Sequence, residues 1–201
     1  MAFLILVRHG ESEWNAKGLW TGWTDIGLSE KGKLEAKQAG EKIKNIPIDI
    51  VYNSKLIRAK QTWEEIEKVL QIHNISTFEH EALNERDYGI YTGKNKWQIQ
   101  KELGEEEFKK LRRSFDYPLE KGESLKDVFN RVVPYYKSEI LPKLKEGKNV
   151  LISAHGNSLR ALVKYLDNIP DDKISELEIP TGQVLVYTIE ADGKITSKKI
   201  L

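Results

Sequence analysis

The chain has no cysteine and a single methionine in 201 residues. That excludes disulfides and thiolate metal sites, and it fits a reducing compartment. It has no long apolar run. Met1 to Val7 is apolar, but no basic segment precedes it and Arg8 cuts it short, well below the length that spans a membrane. Charge of one sign is missing too. Lysine and arginine number 32 against 31 acidic residues, a net charge of +1. A general nucleic-acid binder would carry a basic excess, so that class is disfavoured. No solenoid repeat and no low-complexity linker occurs. The expectation is a soluble, cytoplasmic protein with neither nucleic-acid nor membrane partners. Its length fits one large domain, or one domain with an inserted subdomain.

What is present is organised around Phe3-Leu-Ile-Leu-Val7-Arg8-His9-Gly10. Five apolar residues ending in a turn signal predict a buried strand that delivers Arg8 and His9 to its end. The pattern recurs at Val150-Leu-Ile-Ser-Ala154-His155-Gly156. Ile48–Tyr52, Ile75–Phe78, Val184–Tyr187 and the last few residues are further strand candidates. Ser29 reads as a helix N-cap before the small apolar face of Ala36, Ala39, Gly40 and Ile43. A second helix starts near Lys55 and places Arg58 in its first turn. Lys96 to Phe115 reads as one heavily charged helix. Ser124 and Asp127 form a capping-box pattern, Pro134 predicts a kink, and Gly156–Leu166 is helical. Gly10 to Leu28 reads as a loop with three tryptophans, a length that suggests function. Strands alternating with helices predict an α/β fold, a three-layer α/β/α sandwich on a mostly parallel sheet. A small helical insertion at about 92–122 would lie over the strand C-terminal ends, within a single domain of residues 1–201.

A lone His-Gly pair is weak evidence of catalysis. Here two such pairs stand at strand ends with two arginines. Arginine offers a planar fork matched to phosphate oxygens, and the helix start after Gly156 adds oriented N–H groups. The set suits a dianionic phosphate. Only four histidines exist, none in a His-x-x-x-His spacing, and Arg8 and Arg58 would repel a cation, so no metal is expected. Without one, a side chain or water must accept the phosphoryl group. Neutral imidazole is a competent nucleophile when its second nitrogen is held by an acceptor such as a backbone carbonyl. Arg8, Arg58 and protonated His155 would then stabilise the equatorial oxygens. A carboxylate is needed for proton transfer; Glu11 and Glu85 are both candidates, with Glu85 slightly preferred for its polar cluster Asn84–Gly89.

The motifs resemble those of the histidine phosphatase superfamily: Leu6-Val-Arg-His-Gly-Glu-Ser12, Leu28-Ser-Glu-Lys-Gly32 and Ser54-x-Leu-x-Arg58-Ala. Thr21-Gly22-Trp23, Asn84-Glu-Arg-x-Tyr-Gly89, Arg112-Arg113, His155-Gly-Asn-Ser-Leu-Arg160 and Ile179-Pro-Thr-Gly182 narrow it further. The chain resembles the cofactor-dependent phosphoglycerate mutases over almost its whole length. That resemblance implies a phosphohistidine at His9, with Arg8, Arg58, His155 and Asn15 around the phosphoryl group. It favours Glu85 over Glu11 for proton transfer. Thr21, Gly22, Arg86, Tyr88, Lys96, Arg112, Arg113, Gly156 and Asn157 would bind the rest of the substrate. It also implies priming by 2,3-bisphosphoglycerate, no metal, and a homodimer or homotetramer acting on phosphoglycerates in glycolysis and gluconeogenesis.

Two departures qualify this. The segment from Arg113 to Glu123 is about ten residues, shorter than usual in that family, and the chain stops at Leu201, where family members often continue into a mobile tail. A thinner cover admits water to a phosphohistidine, so raised bisphosphoglycerate phosphatase leakage is expected. Asp87 stands where the family often has histidine. The competing expectations are a broad-specificity or bisphosphoglycerate phosphatase on the same scaffold, and a phospholigand-binding protein without turnover.

Overall fold

Alternating side chains along the first strand set the layers. In the computed structural model, which describes residues 1–201, β1 runs from Ala2 to Arg8. Leu4 and Leu6 join one apolar cluster, and Ile5 and Val7 the other. A strand buried on both faces requires this split. The other strands are β2 (Ile50–Asn53), β3 (Ser76–Glu79), β4 (Val150–Ala154), β5 (Val184–Ile189) and β6 (Ile195–Ile200). They form one six-stranded sheet in the order β3-β2-β4-β1-β5-β6. Strands β3, β2, β4 and β1 pair in parallel, while β5 is antiparallel to both β1 and β6. All strands except β5 therefore share one direction, the mostly parallel sheet that was expected.

The helices are α1 (Glu13–Ala16), α2 (Glu30–Ile43), α3 (Ile57–Leu70), α4 (Lys96–Leu103), α5 (Glu105–Arg113), α6 (Leu125–Tyr135), α7 (Leu141–Lys145) and α8 (Gly156–Leu166). Ala39 and Ile43 of α2 and Trp63 and Ile66 of α3 cover one face of the sheet. Val128 and Val132 of α6 and Leu159 and Leu162 of α8 cover the other. This is the expected three-layer sandwich. Ser29 caps α2 by accepting from the Gly32 N–H, and Ser124 and Asp127 form a reciprocal capping box at α6. Past Pro134 the chain widens into a π-helical turn over Tyr136–Ile140 before α7. A proline that cannot donate to its preceding turn accounts for the irregularity.

Two segments differ from the sequence reading. Gly10–Leu28 is not wholly a loop: α1 forms in it, closed by a capping box between Ser12 and Asn15. Of its tryptophans Trp20 is buried, whereas Trp23 is 42% exposed. The charged stretch after Lys96 is two helices rather than one. Gly104, at φ 80°, ends α4 and starts α5, a conformation glycine adopts without the Cβ penalty. Ile99, Phe108, Leu111 and Leu119 pack on Trp20 in a separate small cluster. The α4–α5 pair is thereby anchored over the strand ends by the loop after β1.

Candidate active site

The parallel register of β1 and β4 pairs Arg8 with Ala154, so the next residue on each strand, His9 and His155, emerges at the same level. Their ring centroids lie 4.9 Å apart at an interplanar angle of 60°. Both are buried, at 2% and 0% exposure. Burial, followed by the charges of Arg58 and Arg8, holds the His9 pKa well below its ordinary value, so the ring is neutral at neutral pH. His9 Nδ1 lies 2.6 Å from the Gly10 carbonyl, which can only accept. The proton therefore sits on Nδ1 and the Nε2 lone pair is free.

His155 differs from expectation. Burial and then Arg58 hold its pKa well below the ordinary value, so as the residues stand it is neutral rather than protonated. Its Nε2 is 2.6 Å from Ser54 Oγ, which already accepts from the Leu56 N–H at 3.2 Å. When the Ser54 hydroxyl donates its hydrogen bond to Nε2, the imidazole proton stands on Nδ1. That Nδ1 has no protein partner. In that tautomer a neutral His155 donates a hydrogen bond to a phosphoryl oxygen. Ser54 was part of a recognised motif, but its bond to His155 was not read from it.

Both arginines are fixed through some nitrogens and free at others. Arg8 donates to the Ile179 carbonyl at 2.5 Å. Its guanidinium packs so closely on Gly156 that a Cβ there would meet Cζ at 3.3 Å. Arg58, 1% exposed, donates to the carbonyls of Gly22 (2.7 Å) and Thr24 (3.0 Å), drawing that loop inward. Burial lowers its pKa to about 10, so it remains charged at neutral pH. Asp25 returns the tie by accepting from the Ile57 N–H at 2.6 Å, capping α3 where Leu56 supplies no side-chain cap. Arg8 Nε, Arg58 Nε, Thr21 Oγ1 and His155 Nδ1 are all buried without a protein partner. Buried polar atoms are normally paired, so four such atoms around one site fit a polyanionic ligand.

Glu85 is 7% exposed, and its Oε1 accepts from the backbone N–H groups of Arg86 (2.8 Å) and Asn157 (3.0 Å). The start of α8 therefore holds this carboxylate rather than an oxyanion directly. Glu11 is elsewhere, bonded to Ser29 and Lys31 at the start of α2. One ligand atom each from His9, Glu85 and His155 lie within 4.8 Å of one another, a spacing a cation could bridge. Burial first, and then the arginine charges, depress the protonation of both histidines, and the positive charge of Arg8 and Arg58 beside them disfavours a second cation.

Opposite the histidines the cavity wall is cationic. Arg8, His9, Asn15, Thr21, Gly22, Arg58, Glu85, Tyr88, Lys96, Arg112, Arg113, Gly156 and Asn157 all line it. Burial and then Arg112 lower the Lys96 pKa to about 8, and its ammonium sits 5.6 Å from the Trp20 ring centre. Burial and then Arg113 lower the Arg112 pKa. Tyr88 hydroxyl accepts from Asn157 Nδ2 at 2.8 Å, and burial pushes its pKa up to about 12. Asn157 is itself oriented by Arg160 Nη1 at 2.9 Å. Of the expected site residues, Arg86 and His155 are not in the cavity lining, and His155 stands beside His9 instead. Arg86 is fully buried; its guanidinium is bonded to the Glu123 and Leu111 carbonyls and lies 5.5 Å from the Tyr88 ring centre, and its N–H donates to Glu85. Trp20, Arg160, Glu178 and Ile179 line the cavity without having been singled out as site residues. Glu178 ion-pairs with Arg113 at 2.7 Å, so the adjacent arginines are not equally free. Six cationic residues face two carboxylates here, in a chain whose net charge is only +1.

The model of the histidine phosphatase superfamily (branch 1) matches residues 4–199. The chain belongs to the histidine phosphatase superfamily. Within it, a Chelativorans sp. (strain BNC1) relative named 2,3-bisphosphoglycerate-dependent phosphoglycerate mutase is 52% identical over 98% of this chain and 97% of its own length. A Parvibaculum lavamentivorans relative of the same name is 46% identical over 98% of this chain and 95% of its own. Among solved structures, Bacillus stearothermophilus YhfR aligns with TM-score 0.84 and 27% identity, over 98% of this chain and 95% of that one. A mycobacterial hydrolase aligns with TM-score 0.83 at 20% identity, over 100% and 97%, a likeness of fold alone. The superfamily assignment accounts for the strand-end histidine pair. The relatives named mutase are matched almost end to end, so a chain of this length is compatible with that name.

Proposed function

We propose that this chain interconverts 2-phosphoglycerate and 3-phosphoglycerate through a phosphohistidine at His9, primed by 2,3-bisphosphoglycerate and without a metal. The observation that carries the reading is the pairing of a neutral His9, its Nε2 free, with a separate cationic wall of Lys96 and Arg112 across the same cavity. His9 Nε2 attacks phosphorus. Arg8, Arg58, the Nδ1–H of His155 and, beside them, Asn15 receive the phosphoryl oxygens as charge shifts. Glu85 passes a proton to the leaving oxygen and takes one from the attacking hydroxyl on return. Lys96, Arg112 and Arg113 hold the carboxylate and the second phosphate, with Thr21, Gly22, Tyr88, Gly156 and Asn157 shaping the pocket while the glycerate reorients. A simple monophosphate phosphatase has no need of such a second, anion-binding subsite. The relatives' shared name supports the same reading.

A bisphosphoglycerate phosphatase is the second reading, favoured by the Arg113–Glu178 ion pair, which leaves fewer free cations to retain an intermediate. A coupled assay of 3-phosphoglycerate conversion, with and without 2,3-bisphosphoglycerate and EDTA, separates the readings. Isomerisation stimulated by the bisphosphate and indifferent to EDTA is expected. Phosphate release without isomerisation would defeat the mutase reading, and loss of activity in EDTA the metal-free one. No helix is long and apolar enough to cross a membrane. The homodimer or homotetramer implied by the resemblance is tested by sedimentation equilibrium, and residues 1–201 are proposed to unfold as one domain.

A further inference from the structure

Glu85 stands in irregular backbone, beyond the single 3₁₀ turn Glu81–Leu83, so no helix or strand ladder fixes it. It is held from behind by α6. Arg131 donates from Nη1 to the carbonyls of Ala82 (2.8 Å) and Asn84 (3.0 Å), and from Nη2 to the carbonyl of Glu85 itself (2.9 Å). Its Nε and Nη2 also bond the two carboxylate oxygens of Glu123 at 2.7 and 2.8 Å. Glu123 in turn accepts from the Asp87 N–H at 2.9 Å, closing the clamp on the far side of Glu85. Trp23 Nε1 adds a second donor to the Glu85 carbonyl at 2.6 Å, with the Arg131 guanidinium 5.7 Å from the Trp23 ring centre. None of Arg131, Glu123 and Trp23 lines the cavity.

The geometry points to Arg131 as a positioning residue for the proton-transferring carboxylate of Glu85, oriented by Glu123 and assisted by Trp23. A rigid planar fork on three carbonyls fixes the backbone from which the carboxylate projects, and small displacements of a catalytic group are costly. The inference rests on the proposed role of Glu85. In the first step the His9 Nε2–P bond forms, the P–O bond to the departing alkoxide breaks, and the Glu85 proton goes to that oxygen. A displaced Glu85 should therefore slow transfer from alkyl phosphates, whose leaving oxygen needs a proton. It should spare transfer from an aryl phosphate, whose leaving anion is stable unprotonated.

Phosphorylation of His9 is followed by intact mass with 2,3-bisphosphoglycerate and with p-nitrophenyl phosphate as donors. Arg131→Met is expected to slow the first about tenfold to a hundredfold and the second less than about threefold. Arg131→Lys should fall between it and the unsubstituted protein. Glu85→Gln provides the benchmark. If Glu85→Gln itself slows both donors equally, the assignment of Glu85 fails and this inference with it. If Glu85→Gln is donor-selective and Arg131→Met is not, or Arg131→Met slows neither donor, the inference alone is overturned. Should Arg131→Met not fold, Trp23→Phe removes one donor to the same carbonyl. A selective slowing of about threefold supports the clamp, and a uniform loss or none overturns it.

Discussion

The two walls of the cavity are built differently. The histidine wall hangs on strand ends: His9, His155 and Arg58 are almost fully buried, and each is tied to backbone or to a buried hydroxyl. The opposite wall belongs to α4 and α5, short charged helices anchored by the small cluster around Trp20. There Lys96 and Arg112 are only partly buried, and Arg113 is shared with Glu178. The first wall has the rigidity that in-line transfer demands. The second has charge with latitude, which suits holding a ligand that must turn between two orientations.

Breaking the first wall should have the largest effects. His9→Ala is expected to abolish turnover in the coupled assay, since it removes the free Nε2 lone pair proposed to take the phosphoryl group. Ser54→Ala removes the hydroxyl that bonds His155 Nε2. It should lower kcat about tenfold with little change in KM, the effect of one lost orienting hydrogen bond. If kcat holds and KM rises instead, Ser54 does not act through His155.

Substitutions in the second wall should change binding more than chemistry. Lys96→Met is expected to raise KM about tenfold while kcat changes less. Lys96, with its pKa lowered to about 8, is charged below that pH and loses its charge as pH rises through it. kcat/KM should accordingly fall above about pH 8, and Lys96→Arg should flatten that alkaline limb. An unchanged limb in Lys96→Arg would assign it to another group. The smallest effect is expected for Glu178→Gln. Releasing Arg113 from a solvent-exposed pair should tighten 2,3-bisphosphoglycerate about twofold to fivefold by titration calorimetry. No change would leave the ion pair without a part in binding.

The same contrast explains what was legible in the chain. Strand-His-Gly and Ser-x-x-x-Arg are local patterns tied to strand ends, so His9, His155, Arg8 and Arg58 were found with their neighbourhood, as was the layered fold. Glu85 lies in aperiodic chain. Physics alone favours it only slightly over Glu11, and the family resemblance decides between them. Arg86 and Glu178 lie in irregular segments, where nothing in the sequence reports which way a side chain faces. Gly104 was a visible break, overshadowed by the charges around it. Burial and the arginines depress His155 protonation in the unliganded protein, an effect that is invisible before the rings are seen side by side.

The central claim is that His9 carries the phosphoryl group during isomerisation. Mixing the protein with 2,3-bisphosphoglycerate, quenching in alkali and mapping the peptides by mass spectrometry tests it directly. The account predicts an acid-labile phosphoryl group on His9 that is discharged by 3-phosphoglycerate and absent in His9→Ala. Isomerisation with His9 unmodified, or undiminished in His9→Ala, would contradict it.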